Sequence, residues 1–135
     1  MARYTQDVTG FVEHNAGRIK TTVRQDGEIL DLEGTEAHWL LKESHDEDDD
    51  TAILEKSGEE DVDEEEIEYV STSEGKLAVT IDSEELLGTV DWSSDEVTEN
   101  QDDIPAKMYV HRLDVTDSEG RLVTGFFGDF EILKR

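Results

Sequence analysis

Apolar and polar residues alternate along most of this chain, the pattern of strands that bury one face and wet the other. In Arg18-Ile19-Lys20-Thr21-Thr22-Val23-Arg24, Ile19, Thr21 and Val23 share a face. Gln25-Asp26-Gly27-Glu28 follows, and its Asp-Gly is a strong turn signal. Ala37-His38-Trp39-Leu40-Leu41-Lys42 repeats the alternation with Ala37, Trp39 and Leu41. Lys76-Leu77-Ala78-Val79-Thr80-Ile81-Asp82 does so with Leu77, Val79 and Ile81. After the single proline, Pro105, a strand predicted over 108–115 lines up Tyr109, His111, Leu113 and Val115. Asp117-Ser118-Glu119-Gly120 reverses the chain into a last strand over 122–133, where Gly125 and Gly128 mark bulges or bends.

The remaining segments are less regular. Ala52-Ile53-Leu54 and Ile67-Glu68-Tyr69-Val70 are short apolar pieces. They are separated by acidic residues over 59–66, and a first acidic loop spans 45–50. Ser83-Glu84-Glu85-Leu86-Leu87 reads as one helical turn capped by Asp82 or Ser83, and 93–103 as a loop. No stretch of about 12 residues carries a 3.6-residue period. Seven to nine short strands at roughly ten-residue spacing predict an all-β fold, an antiparallel sandwich. At 135 residues the chain is read as one domain, 1–135, with 1–16 as an N-terminal arm or a first strand.

Charge changes this picture most. Asp and Glu number 37 against 12 Lys and Arg, a formal net charge of −25. Low hydrophobicity with such charge is the signature of disorder. However, the acidic residues are interleaved with apolar ones over the whole chain rather than gathered in a tail. That distribution predicts a folded protein adapted to brine, because at about 1 M salt the Debye length falls to roughly 3 Å and self-repulsion largely disappears. The acidity also argues against nucleic acid as a partner. Cysteine is absent, which excludes disulfides and thiolate chemistry. No apolar run approaches the ~20 residues of a membrane span, and the N-terminus is not expected to be a signal segment.

The order of landmarks resembles one known family. Asp26-Gly27-Glu28-Ile29-Leu30-Asp31-Leu32-Glu33-Gly34 leads into Trp39-Leu40-Leu41-Lys42, then Gly75-Lys76-Leu77-Ala78-Val79-Thr80-Ile81. The series continues through Tyr109, Asp117, Gly120 and Thr124 to Gly128-Asp129-Phe130-Glu131-Ile132. In order and spacing these pieces are similar to the immunoglobulin-like N-terminal domain of phage baseplate upper proteins, over about residues 17–133. Glu33 stands where that family has Thr. The resemblance implies an immunoglobulin-like sandwich, a structural role in a virion and no catalysis. Together with the brine-adapted composition it implies a tailed virus of haloarchaea. The protein would then be made in the host cytoplasm at high salt and end in the particle.

Candidate chemistry is sparse. The acidic loops lack the ligand spacing and central glycine of an EF-hand, so they are read as solvated, open only to weak, non-specific cation association. His14, His38, His45 and His111 are far apart, and no metal or other cofactor is expected. His111 falls on an apolar strand face and is read as a hydrogen-bonded core residue, and His38 as facing solvent or an interface. With 37 carboxylates, any acidic pair is uninformative about glycoside hydrolysis. A Gly-x-Ser-x-Gly elbow and a phosphate loop are both absent, so the chain is not read as an enzyme.

The residues singled out are interface candidates. In Phe126-Phe127, neighbours on a strand face opposite ways, so one enters the core and the other emerges. Trp92 sits in the apolar island over 86–92, and Tyr4 and Phe11 lie in an N-terminal stretch that carries one net positive charge. Aromatic anchors are enriched where proteins dock, and strand addition by an N-terminal arm is an assembly device. The expected partners are other virion proteins and further copies of the chain, with neither nucleic acid nor membrane. An alternative is a host-adhesion or ligand-binding module on a viral fibre or cell surface. A soluble cytoplasmic enzyme of a halophile is a third, weaker reading.

Overall fold

The computed structural model describes residues 5–44, 52–59, 66–99 and 102–134. Within them every regular element is a strand, and no helix is long and apolar enough to cross a membrane. The strands are β1 (Val8–Val12), β2 (Gly17–Thr22), β3 (Arg24–Gln25), β4 (Glu28–Ile29), β5 (Glu36–Lys42) and β6 (Leu54–Glu59). They continue as β7 (Ile67–Ser71), β8 (Lys76–Ile81), β9 (Thr98–Glu99), β10 (Pro105–Thr116) and β11 (Leu122–Leu133). A large sheet runs β1-β11-β10-β5-β6, with β9 added beside the start of β10, and a small sheet runs β2-β8-β7. The chain is an all-β sandwich: inward residues of the two sheets form one core.

Alternation built that core. From the large sheet come Trp39 and Leu41 of β5, Tyr109, Leu113 and Val115 of β10, and Phe126, Phe130 and Ile132 of β11. From the small sheet come Ile19 of β2, Ile67 of β7, and Leu77, Val79 and Ile81 of β8. Fully burying a side chain of this size contributes about 1.5–3 kcal/mol, which makes these rows the main source of stability. The predicted turn at Asp26-Gly27 joins β3 to β4 as a two-residue loop. Both residues have positive φ, 54° and 86°, as a type I′ turn requires. The hairpin of β10 and β11 closes at Asp117, whose Oδ1 accepts from the amides of Glu119 and Arg121.

Several local expectations change. Residues 83–87 are not a helical turn. Glu84 has φ of 68°, outside the right-handed helical region, and the segment is a succession of turns. Strand β6 lies where the sequence shows only the apolar piece Ala52-Ile53-Leu54 and an acidic run. Its sequence, LEKSGE, hides the alternation because the inward positions are filled by Lys56 and Gly58. The stretch 93–103 contains the two-residue β9. Gly125 is a bulge, the extra residue between the pairs Leu113↔Phe126 and Asp114↔Thr124. Gly128 is instead a point of close approach: a Cβ there would lie 2.2 Å from the Gln6 carbonyl oxygen. The N-terminal segment forms the edge strand β1, which lies parallel to β11 where every other pairing in the large sheet is antiparallel. Most of the two acidic loops, 45–51 and 60–65, falls outside the described residues.

Candidate functional site

The interface candidates are largely taken up by the protein's own packing. Phe126 is 1% exposed and belongs to the core, so it is not available to a partner. Phe11, half-buried on β1, packs its ring 5.5 Å from that of Phe130. Trp92 is half-buried and donates its indole N–H to Glu13 Oε2 at 3.1 Å, tying the 86–92 island to the end of β1. Tyr4 lies outside the described residues. Phe127 emerges on the other side of β11 from Phe126, as alternation demands, and is half-buried there.

Phe127 therefore defines a surface, the outer face of the large sheet. Register places Arg112 of β10 between Phe127 of β11 and Leu40 of β5, and Val110 between Asp129 and Lys42. Met108, 49% exposed, follows along β10 opposite Glu131. Met108 is exposed, Val110 and Phe127 are half-buried and Leu40 is fully covered, so these four form an apolar strip that opens at Met108, on a face that alternation would reserve for polar residues. Arg112 crosses it, with its Nε 2.8 Å from Asp114 Oδ2, and Thr124 Oγ1 donates to Asp114 Oδ1. The strip is not visible in the sequence, because Leu40, Val110 and Met108 are each the outward residue of a separate rung and only register makes them neighbours.

On the inward side of β10, opposite to Met108, Lys107 is 7% exposed. Its Nζ lies 2.8 Å from Glu96, 3.8 Å from Glu43 and 4.6 Å from the centre of the Tyr109 ring. Desolvation works against its charge, but hydrogen bonding to Glu96 and the fields of Tyr109 and Glu43 outweigh it, and its pKa rises above the usual lysine value. The hydrogen bond from Lys107 holds Glu96 below the usual carboxylate range, and burial pushes Tyr109 up. Lys56, 2% exposed, is similarly held by Glu85 and Glu66. Each of these cations is held by two carboxylates, and Lys107 with Glu43 and Glu96 lines a cleft of about 360 Å³.

His111, the residue with most catalytic potential, is 1% exposed. Its Nδ1 accepts the Trp39 indole N–H at 3.1 Å, and its Nε2 lies 2.6 Å from the Gln6 carbonyl oxygen. An indole only donates and a carbonyl only accepts, so the ring is the neutral Nε2–H tautomer. Among the described residues no three His, Asp or Glu side chains converge to hold a metal ion. His38 is exposed, 3.9 Å from Glu55.

Fold and surface together define the class of molecule: an all-β sandwich with a densely acidic surface and one outer sheet face carrying an apolar strip. No family model matches the chain, and no curated protein matches it.

Proposed function

We propose that this chain is a non-enzymatic structural protein of the virion of a haloarchaeal tailed virus. It is an immunoglobulin-like sandwich that docks as an oligomer on tail, baseplate, neck or capsid proteins. The observation that carries this reading is Met108, 49% exposed beside the half-buried Val110 and Phe127 on the outer face of the large sheet. In a chain of net charge −25, apolar side chains on a sheet face are costly to leave in water, and concentrated salt strengthens their burial against a partner. The family resemblance in landmark order supports the virion setting. His111 and Lys107, held in neutral or saturated networks, fit a scaffold better than a catalyst.

Mass spectrometry of purified particles tests the assignment. The chain is expected among the particle proteins, and its absence rejects the proposal. Met108→Asp is expected to lower incorporation at least about tenfold while leaving the sheet signal unchanged, since hot-spot truncations cost 2 kcal/mol or more. Normal incorporation of that variant removes the strip as the docking face.

A further inference from the structure

The outer face of the small sheet differs from the rest of the surface. A groove of about 520 Å³ on it is lined by Gln6, Thr21, Thr22, Leu77 and Val70 together with Arg18, Lys20 and Lys76, and by no carboxylate. Val70 is 50% exposed there. Arg18 pairs with Glu68 and Lys76 with Glu74, but Lys20 has no ion pair among the described residues, and its carbonyl accepts from Gln6 Nε2. Glu68 and Glu74 thus flank the groove, and Lys20 is its cation with no carboxylate partner among the described residues, in a chain with three times as many acids as bases.

The opposite side of the sandwich carries the complement. On the outer face of the large sheet, at the far end from Met108, Glu36 of β5 sits directly across from Glu59 of β6. Both are exposed and neither has an ion pair among the described residues. Like charges directly opposed on neighbouring strands destabilise a sheet, so this rung gains from any cation that reaches it.

We propose that the cationic groove receives the Glu36/Glu59 rung of a second copy of this chain. The two surfaces are outer faces of different sheets and point away from each other. One copy cannot satisfy both with the same neighbour, so the contact is head-to-tail and builds a ring or a stack rather than a two-fold dimer. Val70 supplies the apolar centre of the contact. The ion pairs, covered by the interface, are screened by salt much less than exposed ones. This inference rests on the structural role proposed above and names one of its partners.

The test is the solution assembly state of the full chain, by sedimentation, at the salt concentration where the sheet signal is complete. Self-association is expected for the parent protein. Reversing one side, with Lys20→Glu plus Lys76→Glu or with Glu36→Lys plus Glu59→Lys, is expected to weaken association at least about tenfold. Mixing the two reversed proteins is expected to restore it. Lys20→Glu alone, at an exposed position, serves if the Lys76 change disturbs β8. A monomeric parent protein, association that survives reversal, or a mixture that stays apart each overturns the inference. Incorporation into particles is read separately, so a failed self-contact with normal incorporation leaves the docking role standing.

Discussion

His111 shows what a single polar residue does inside this core. Its ring lies among Phe126 at 4.9 Å, Phe130 at 5.4 Å and Trp39 at 6.0 Å, and both nitrogens are hydrogen-bonded. Replacing it with Leu would keep most of the volume but strand the Trp39 N–H and the Gln6 carbonyl. Each buried group left unpaired costs about 1–3 kcal/mol, so His111→Leu is expected to lower stability by about 2–4 kcal/mol in urea unfolding. A loss below about 0.5 kcal/mol would mean that water reaches those groups. The alternation over 108–115 made His111 legible as a buried residue, and Trp39 likewise. Its partners were not legible. Gln6 is 105 residues away and contributes a backbone oxygen, which leaves no trace in side-chain pattern. Phe126 and Phe127 were separable into inner and outer only as a pair, because the bulge at Gly125 shifts the register just before them.

At the scale of elements, β1 and the β10–β11 hairpin are held by different means. Strand β1 approaches β11 where Gly128 has no side chain, with Gln6 N–H donating to the Phe127 carbonyl and Asp129 N–H to Asp7 Oδ1. Gly128→Ala would put a Cβ 2.2 Å from the Gln6 oxygen and 2.7 Å from Asp7 Oδ1. That substitution is expected to release β1 while the hairpin persists, seen as amide-exchange protection lost at Gln6 and Asp129 and kept at Tyr109. Unchanged protection at Gln6 would show that the backbone yields freely. The hairpin turn depends instead on Asp117. The Arg121 amide, then the Glu119 amide and the Arg121 side chain, hold its carboxyl below the usual carboxylate range. A carboxyl lowered on folding adds stability that is complete above the unfolded value, about 4, and is lost as pH falls through the folded one. An NMR titration should therefore place the Asp117 midpoint below that of free Asp, and Arg121→Ala should move it upward. A midpoint at the free value in the parent protein would refute the turn's role. The turn was legible because Asp, Ser and Gly are turn residues for local reasons. Strand β6 was not, because Lys56 and Gly58 occupy inward positions for reasons that lie in other strands. Lys56 reaches Glu85, and Gly58 makes room for β7, where a Cβ would lie 2.6 Å from the Ile67 carbonyl.

For the whole molecule, two-sided alternation made the sandwich legible, whereas the pairing order, the parallel edge strand and the two contrasting outer faces emerge only from register. The same scale decides what the charge of −25 does. The core rows pull the sheets together and the carboxylates outside push them apart, and salt changes only the second force. Screening falls off steeply on dilution, the Debye length lengthening from about 3 Å at 1 M to about 10 Å at 0.1 M, so repulsion then reaches between neighbouring strands about 4.8 Å apart. Circular dichroism is expected to show full strand signal in concentrated salt and progressive loss on dilution. Mild acidification in dilute buffer works through the same force: protonating carboxylates removes repulsion and should bring back part of the signal, until the pH falls to the lowered midpoint of Asp117 and the hairpin turn weakens. Net repulsion thus predicts a partial recovery on lowering the pH that no loss of specific ion pairs would give, since Lys107–Glu96 and Lys56–Glu85 weaken when their carboxylates are protonated. Strand signal independent of salt would show that the core alone carries the fold and that the acidic surface is not an adaptation to brine.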